Sequence, residues 1–160
     1  MTEAALKHGL RQPETQDIVI DELFPHAPEV LWRTLTTGDI IGRWLMVPSG
    51  FDAVVGNRFT YQTTASGAWD GVIHCEVLEV VPNRRFTYAW TSGHDSIATG
   101  YGARLETVVT FTLTPEGNGT RLKLVHAGFV VPRNEAACQN MRKGWQKILG
   151  NLGSFTETKH

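Results

Sequence analysis

The chain has 160 residues, and its 15 Lys and Arg nearly balance its 16 Asp and Glu. That length most economically makes one domain able to bury its own core, and the charge balance excludes a nucleic-acid or anionic-membrane partner recognised through bulk charge. No stretch approaches a membrane-spanning length, and residues 1–16 lack the apolar centre of a signal peptide, so neither membrane insertion nor export is expected.

Residues 1–16 are polar and unpatterned and read as a loose leader. Residues 17–24 alternate apolar and acidic, with Ile18, Ile20 and either Leu23 or Phe24 facing inward, which predicts a first strand. Pro25 and Pro28 break it. Pro28 suits the first turn of a helix, where its missing amide costs nothing, and Val30, Leu31, Thr34 and Leu35 supply that helix with an apolar stripe. The run from Thr36 to Asp39 ends this helix and opens a second, carrying Ile40, Ile41, Trp44 and Leu45 before Pro48.

A meander of strands follows. Residues 51–55, the Gly56-Asn57 turn and residues 58–64 predict a hairpin in which Phe59 and Tyr61 share a face. After a loop around Trp69, a long strand over 72–81 turns at Pro82-Asn83 into a strand over 84–91, where Phe86, Tyr88 and Trp90 alternate with small residues. The polar, glycine-bearing stretch 92–102 is too long for a tight hairpin. Residues 103–114 alternate again, with Leu105, Thr107, Val109, Phe111 and Leu113 on one face. The Pro-Glu-Gly-Asn-Gly turn at 115–119 then leads to a last strand with Leu122, Leu124 and His126 on one side.

The chain ends in its longest helical signal, over 134–153. Ala137, Met141, Trp145, Ile148, Leu149 and Leu152 recur at spacings of three and four, which gathers them on one face. Asn134 is placed to cap the helix N-terminus. Gly144 costs a helix interior about 1 kcal/mol relative to Ala, so it requires a tertiary reason, such as close approach of a sheet or a ligand. Strands bracketed by helices mean an α+β domain in which the sheet closes over the last helix. The domain is expected to span 17–155, with 156–160 as a tail.

The order and several local signatures resemble the START-like, helix-grip superfamily, the birch pollen allergen fold. Within it, the chain is similar to the branch named for homologues of the activator of the heat-shock-protein-90 ATPase. The resemblance is carried by Ala27-Pro28 before Val30-Leu31-Trp32, by Ile40 to Trp44, by Val55-Gly56, and by Val77 to Val80 before Pro82. It continues through Arg84-Arg85-Phe86 leading to Tyr88 and Trp90, Gly119-Thr120, His126, and Gly144-Trp145 with Leu149 and Leu152. Asn57 and Cys75 stand where that branch usually has glycine. The resemblance implies a curved antiparallel sheet of about six or seven strands around the long C-terminal helix, with two short helices after the first strand. It also implies a cavity between sheet and helix, a small hydrophobic ligand, and, from the branch name alone, a chaperone partner and a stress-response role. Bacterial relatives of the branch are often homodimers.

If the strand faces are as assigned, Trp44, Phe59, Tyr61, Tyr88, Trp90, Phe111 and Trp145 converge, joined by Met141 on the helix. They either fill the core or wall an apolar pocket. His126 faces inward, either as a hydrogen-bonded core residue or as the polar anchor of a ligand. On the strand over 72–81, alternation leaves open which face is inward. If His74 and Glu76 point in with His126, they form an acid/base cluster fit for a cyclase, dehydratase or hydrolase. Cys75 and Cys138 lie far apart without a CxxC spacing and read as free thiols in a cytoplasmic protein. No HExxH, phosphate loop or GxSxG elbow occurs, so no metal or cofactor is expected. The binding reading is preferred over the co-chaperone and enzyme readings.

Overall fold

The computed structural model describes residues 14–158, with side chains as far as Leu152. The chain runs β1 (Thr15–Phe24), α1 (Pro28–Thr36), α2 (Gly38–Trp44), β2 (Arg58–Gln62), β3 (Val72–Val81), β4 (Arg85–Ser92), β5 (Leu105–Glu116), β6 (Gly119–Val130) and α3 (Glu135–Thr158). The strands form one six-stranded sheet in the order β1-β6-β5-β4-β3-β2, antiparallel at every pairing. The helix α3 lies against β1 and β6 and meets α1 and α2. Residues 1–13 of the expected leader and the last two residues of the expected tail lie outside the described residues. Thr15 and Gln16 already belong to β1, and α3 runs past Gly153 through residues assigned to the tail.

Alternation fixed most faces as expected. Phe86, Tyr88 and Trp90 on β4, Leu105 to Leu113 at every second position on β5, and Leu122, Leu124 and His126 on β6 are all buried. On β1 the inward residue near the end is Phe24, while Leu23 is half exposed. On β3 the inward set is Ile73, Cys75 and Val77, with His74 exposed. The cause is register. Cys75 lies opposite Phe59 on one side and Trp90 on the other, and directly paired residues share a face of the sheet.

The expected hairpin over 51–64 has only its second arm. Residues 51–55 form no strand, and Val54 and Val55 are exposed. Asn57 explains the difference, because its side chain donates to the Gly50 carbonyl at 3.0 Å and accepts from the Asp52 amide at 2.9 Å. Those bonds give the backbone an alternative to a sheet ladder. Asn134 also departs from expectation. It is fully buried, and its side chain accepts from the Val130 amide at 3.2 Å and donates to the Arg104 carbonyl at 2.9 Å. It thereby ties the end of β6 and the start of α3 to the segment entering β5, instead of capping the first turn.

On α3, Cys138, Trp145, Leu149 and Leu152 are buried, while Ala137, Met141 and Ile148 are only half-buried. The apolar face is therefore split between residues packed on the sheet and residues beside open space. The two short helices lock to each other through Trp44, whose Nε1 donates to the Thr34 carbonyl at 2.9 Å. They cover one end of the sheet. Above its other end lies the site.

Candidate functional site

The interior has two parts. In the first, Trp44, Phe59, Tyr61, Tyr88 and Phe111 pack against one another around a void of about 10 Å³, at the limit for holding even a single water. Ring centroids are 5.5 Å apart for Phe59 and Tyr88, 5.7 Å for Phe59 and Tyr61, and 6.4 Å for Trp44 and Phe111, mostly edge to face. Burial raises the Tyr61 and Tyr88 phenols above their ordinary value. Burial likewise pushes the Cys75 thiol beside them up to about 12. This part is solid, uncharged core.

The second part is a cavity of about 300 Å³ between the sheet and α3. Ile73, Trp90 and Leu105 form its sheet wall; Ala137, Met141, Gly144, Trp145 and Ile148 form its helix wall; Leu45 and Met46 close one side. No lining side chain carries a charge. Gly144 faces this space, and a Cβ built on it would meet nothing within 4 Å. The mid-helix glycine therefore does not serve close packing. It leaves the helix wall bare where a side chain would intrude.

Two loops frame the mouth. Trp69 and Tyr101 pack edge to face at 5.4 Å, Trp69 Nε1 donates to the Val72 carbonyl at 3.1 Å, and the Tyr101 hydroxyl donates to the Thr64 carbonyl. The loops approach this closely because of glycine. Gly71 and Gly93 have φ of +81° and +86°, and a Cβ there would lie 2.4 Å and 2.1 Å from the carbonyl oxygens of Thr63 and Ala103, a distance only a missing side chain permits.

Behind the wall, His126 is fully buried. Its Nδ1 accepts from Trp145 Nε1 at 3.0 Å, so in the neutral ring the proton sits on Nε2, which lies 2.7 Å from Thr107 Oγ1. The Thr107 hydroxyl in turn donates a hydrogen bond to the Trp90 carbonyl at 3.0 Å. Every polar atom in this relay has a partner, which removes the desolvation cost of burying them. Burial lowers the imidazole to about 3, so it stays neutral at ordinary pH. His126 orients the Trp145 indole, and no shuttle of protons follows from it.

Of the nine residues expected at the site, the structure therefore brings Trp90, Met141 and Trp145 to the cavity. Trp44, Phe59, Tyr61, Tyr88 and Phe111 belong to the solid core instead, because the short helices press on that end of the sheet. His126 is one layer behind, with both nitrogens occupied. The acid/base cluster does not form. His74 is exposed and Glu76 pairs with Arg58 at 3.5 Å on the outer face of the sheet, opposite to His126. That placement removes the enzyme reading built on those three residues. Among the described residues, no group of three or more His, Cys, Asp or Glu side chains is placed to hold a metal ion. Sequence reasoning missed Trp69, Tyr101, Ile73, Leu105 and the Leu45-Met46 pair. The first two were flagged only by being aromatic residues in glycine-bearing loops.

An antiparallel sheet gripping a long C-terminal helix, with two short helices after the first strand and a cavity between, defines the helix-grip class, the fold of the birch pollen allergen. The chain belongs to the family described as Activator of Hsp90 ATPase homolog 1-like protein, whose profile matches residues 25–157. It is 26% identical over 139 residues to the mouse Activator of 90 kDa heat shock protein ATPase homolog 1, a match covering 87% of this chain and 36% of that protein. The chain thus spans about a third of the length of the curated relatives it matches. Among solved structures, protein MLL2253 of Mesorhizobium loti is 35% identical with a TM-score of 0.78, covering 91% of this chain and 99% of that one. CalU16 of Micromonospora echinospora is 26% identical with a TM-score of 0.70, covering 89% and 77%. Among the described residues, no helix is long and apolar enough to cross a membrane.

Proposed function

We propose that this chain is a binding domain that holds a small apolar or aromatic molecule in the cavity between the sheet and α3. One observation carries the reading: an uncharged cavity of about 300 Å³ with a bare glycine in its helix wall. That volume is at the lower end of the roughly 300–1,000 Å³ of small-molecule sites, so the occupant has one or two rings. A core this well packed elsewhere gains nothing in stability from a hollow beside three indoles, since an empty cavity forfeits dispersion contacts. The walls present no group whose proton affinity is tuned near neutral pH, which favours holding a molecule over transforming it.

The test is a titration with N-phenyl-1-naphthylamine, an uncharged dye that brightens in apolar surroundings. Saturable dye emission, with matched quenching of tryptophan emission from Trp90 and Trp145, is the expected result. A linear, non-saturating response up to the dye's solubility would remove the reading.

A second reading, a module acting on a heat-shock ATPase, rests on the match to the mouse activator over 87% of this chain. Its test is the ATPase rate of purified Hsp90 with and without this chain. A rate unchanged at saturating concentration counts against it.

A further inference from the structure

The cavity excludes charge on every side. Its lining includes no Asp, Glu, Lys, Arg or His, and the histidine behind it is engaged at both nitrogens. A carboxylate or ammonium held inside this space, away from its mouth, would lose its hydration without gaining a counter-ion. Fatty acids and amines are therefore disfavoured in their ionised forms.

A second observation bears on what polar atom the occupant carries. Among the described residues, the indole Nε1 of Trp90 is buried and has no hydrogen-bond partner. The other two indoles of the cavity are satisfied, Trp69 by the Val72 carbonyl and Trp145 by His126. Buried donors are almost always paired. Trp90 borders the large cavity and not the small core void, and its Nε1 is itself covered, so a molecule in that cavity supplies the missing acceptor once the side chains over the indole edge give way. Met141, on the helix wall of the same cavity, has the flexible side chain that such a rearrangement requires.

We propose that the cavity selects an uncharged molecule of one or two rings carrying a hydrogen-bond acceptor such as a ketone, ester or ether oxygen, with the Trp90 indole N–H as the donor that reads it. This rests on the binding reading above and specifies its ligand class. Thr63, Ser92 and Asn140 add polar atoms to the lining, but hydroxyls and amides accept as readily as they donate and so do not discriminate. An indole only donates.

Three probes of similar shape separate the contributions by displacement of N-phenyl-1-naphthylamine: 2-acetonaphthone as neutral acceptor, 2-isopropylnaphthalene as hydrocarbon, and 2-naphthoate as anion. The anion is expected to bind at least about a hundredfold more weakly than the ketone. Trp90→Phe keeps an aromatic wall and removes the donor, so it should weaken the ketone by about tenfold more than the hydrocarbon, the usual worth of one hydrogen bond. In the wild-type protein, the Trp90 indole proton resonance should move downfield with the ketone and not with the hydrocarbon, a readout independent of how the variant folds. Equal losses for ketone and hydrocarbon in Trp90→Phe, with no distinct shift, would overturn the assignment of Trp90 while leaving the binding reading intact. Tight binding of 2-naphthoate would overturn the neutral-ligand claim. If no probe displaces the dye because the dye itself does not bind, the binding reading fails and this inference with it.

Discussion

Replacing Gly144 by alanine puts a methyl group where nothing lies within 4 Å. No clash opposes the change, so the helix-propensity difference of about 1 kcal/mol should appear as added stability. For a chain of this size that raises the melting temperature by about 2–4 °C. Gly150, on the same helix, also has nothing within 4 Å of its would-be Cβ, but it is exposed and does not border the cavity. Gly150→Ala should therefore stabilise by a similar amount and leave ligand binding alone. Gly144→Leu fills part of a cavity of only about 300 Å³, so it should weaken N-phenyl-1-naphthylamine by at least about tenfold, the effect of losing roughly 1.4 kcal/mol of contact, without lowering the melting temperature. Such a pattern, stability gained and binding lost at one position only, is the mark of a residue retained for function against its own helix. Thermal melts and dye titrations on the three variants decide the matter. A lower melting temperature for Gly144→Ala would mean that the space beside it is not there, and undiminished dye affinity in Gly144→Leu would mean that the cavity is not the site.

Other expectations follow from the same geometry. The buried imidazole of His126 is held at about 3, against 6.5 for an exposed one. Between those values the unfolded chain binds a proton that the folded chain refuses, so stability is complete above about pH 6.5 and is lost, by at most about 1.4 kcal/mol per pH unit, as pH falls toward 3. The melting temperature of wild type should drop more steeply than that of His126→Gln from about pH 6.5 to about pH 4; parallel curves would contradict this. His74→Ala and Glu76→Ala should leave dye affinity unchanged and cost under about 1 kcal/mol, since the Arg58–Glu76 pair is exposed. A large loss of binding in either would return them to the site. With its thiol near 12, Cys75 should react with a disulfide reagent at about pH 8 far more slowly folded than unfolded, because the thiolate is the reacting form. Equal rates in the two states would show that the thiol is not buried.

Much of this architecture could be read along the chain because strands and helices impose periods on side-chain chemistry. Alternation at 86–90, 105–113 and 122–126 named the buried face of three strands, and spacings of three and four named that of α3. Gly144 announced itself by violating its own helix. Where the local signal is degenerate, alternation decides nothing. His74 and Glu76 on one face of β3, and Cys75 and Glu79 on the other, offered alternation no preference, and pairing with Phe59 and Trp90 made the choice. Residues 51–55 were apolar enough for a strand, but the Asn57 side chain captured the backbone first.

The distinction between core and cavity lay beyond any local pattern. Tyr88 and Trp90 are two residues apart, both aromatic, both buried on the same face of the same strand. One is sealed beneath the short helices and the other walls an open space. The chain by itself determined that both point inward, because a pleat sends every second side chain to the same side. Only the packing of α1, α2 and α3 over the sheet decided which of them meets protein and which meets a void, because a cavity is the gap left between elements far apart in sequence.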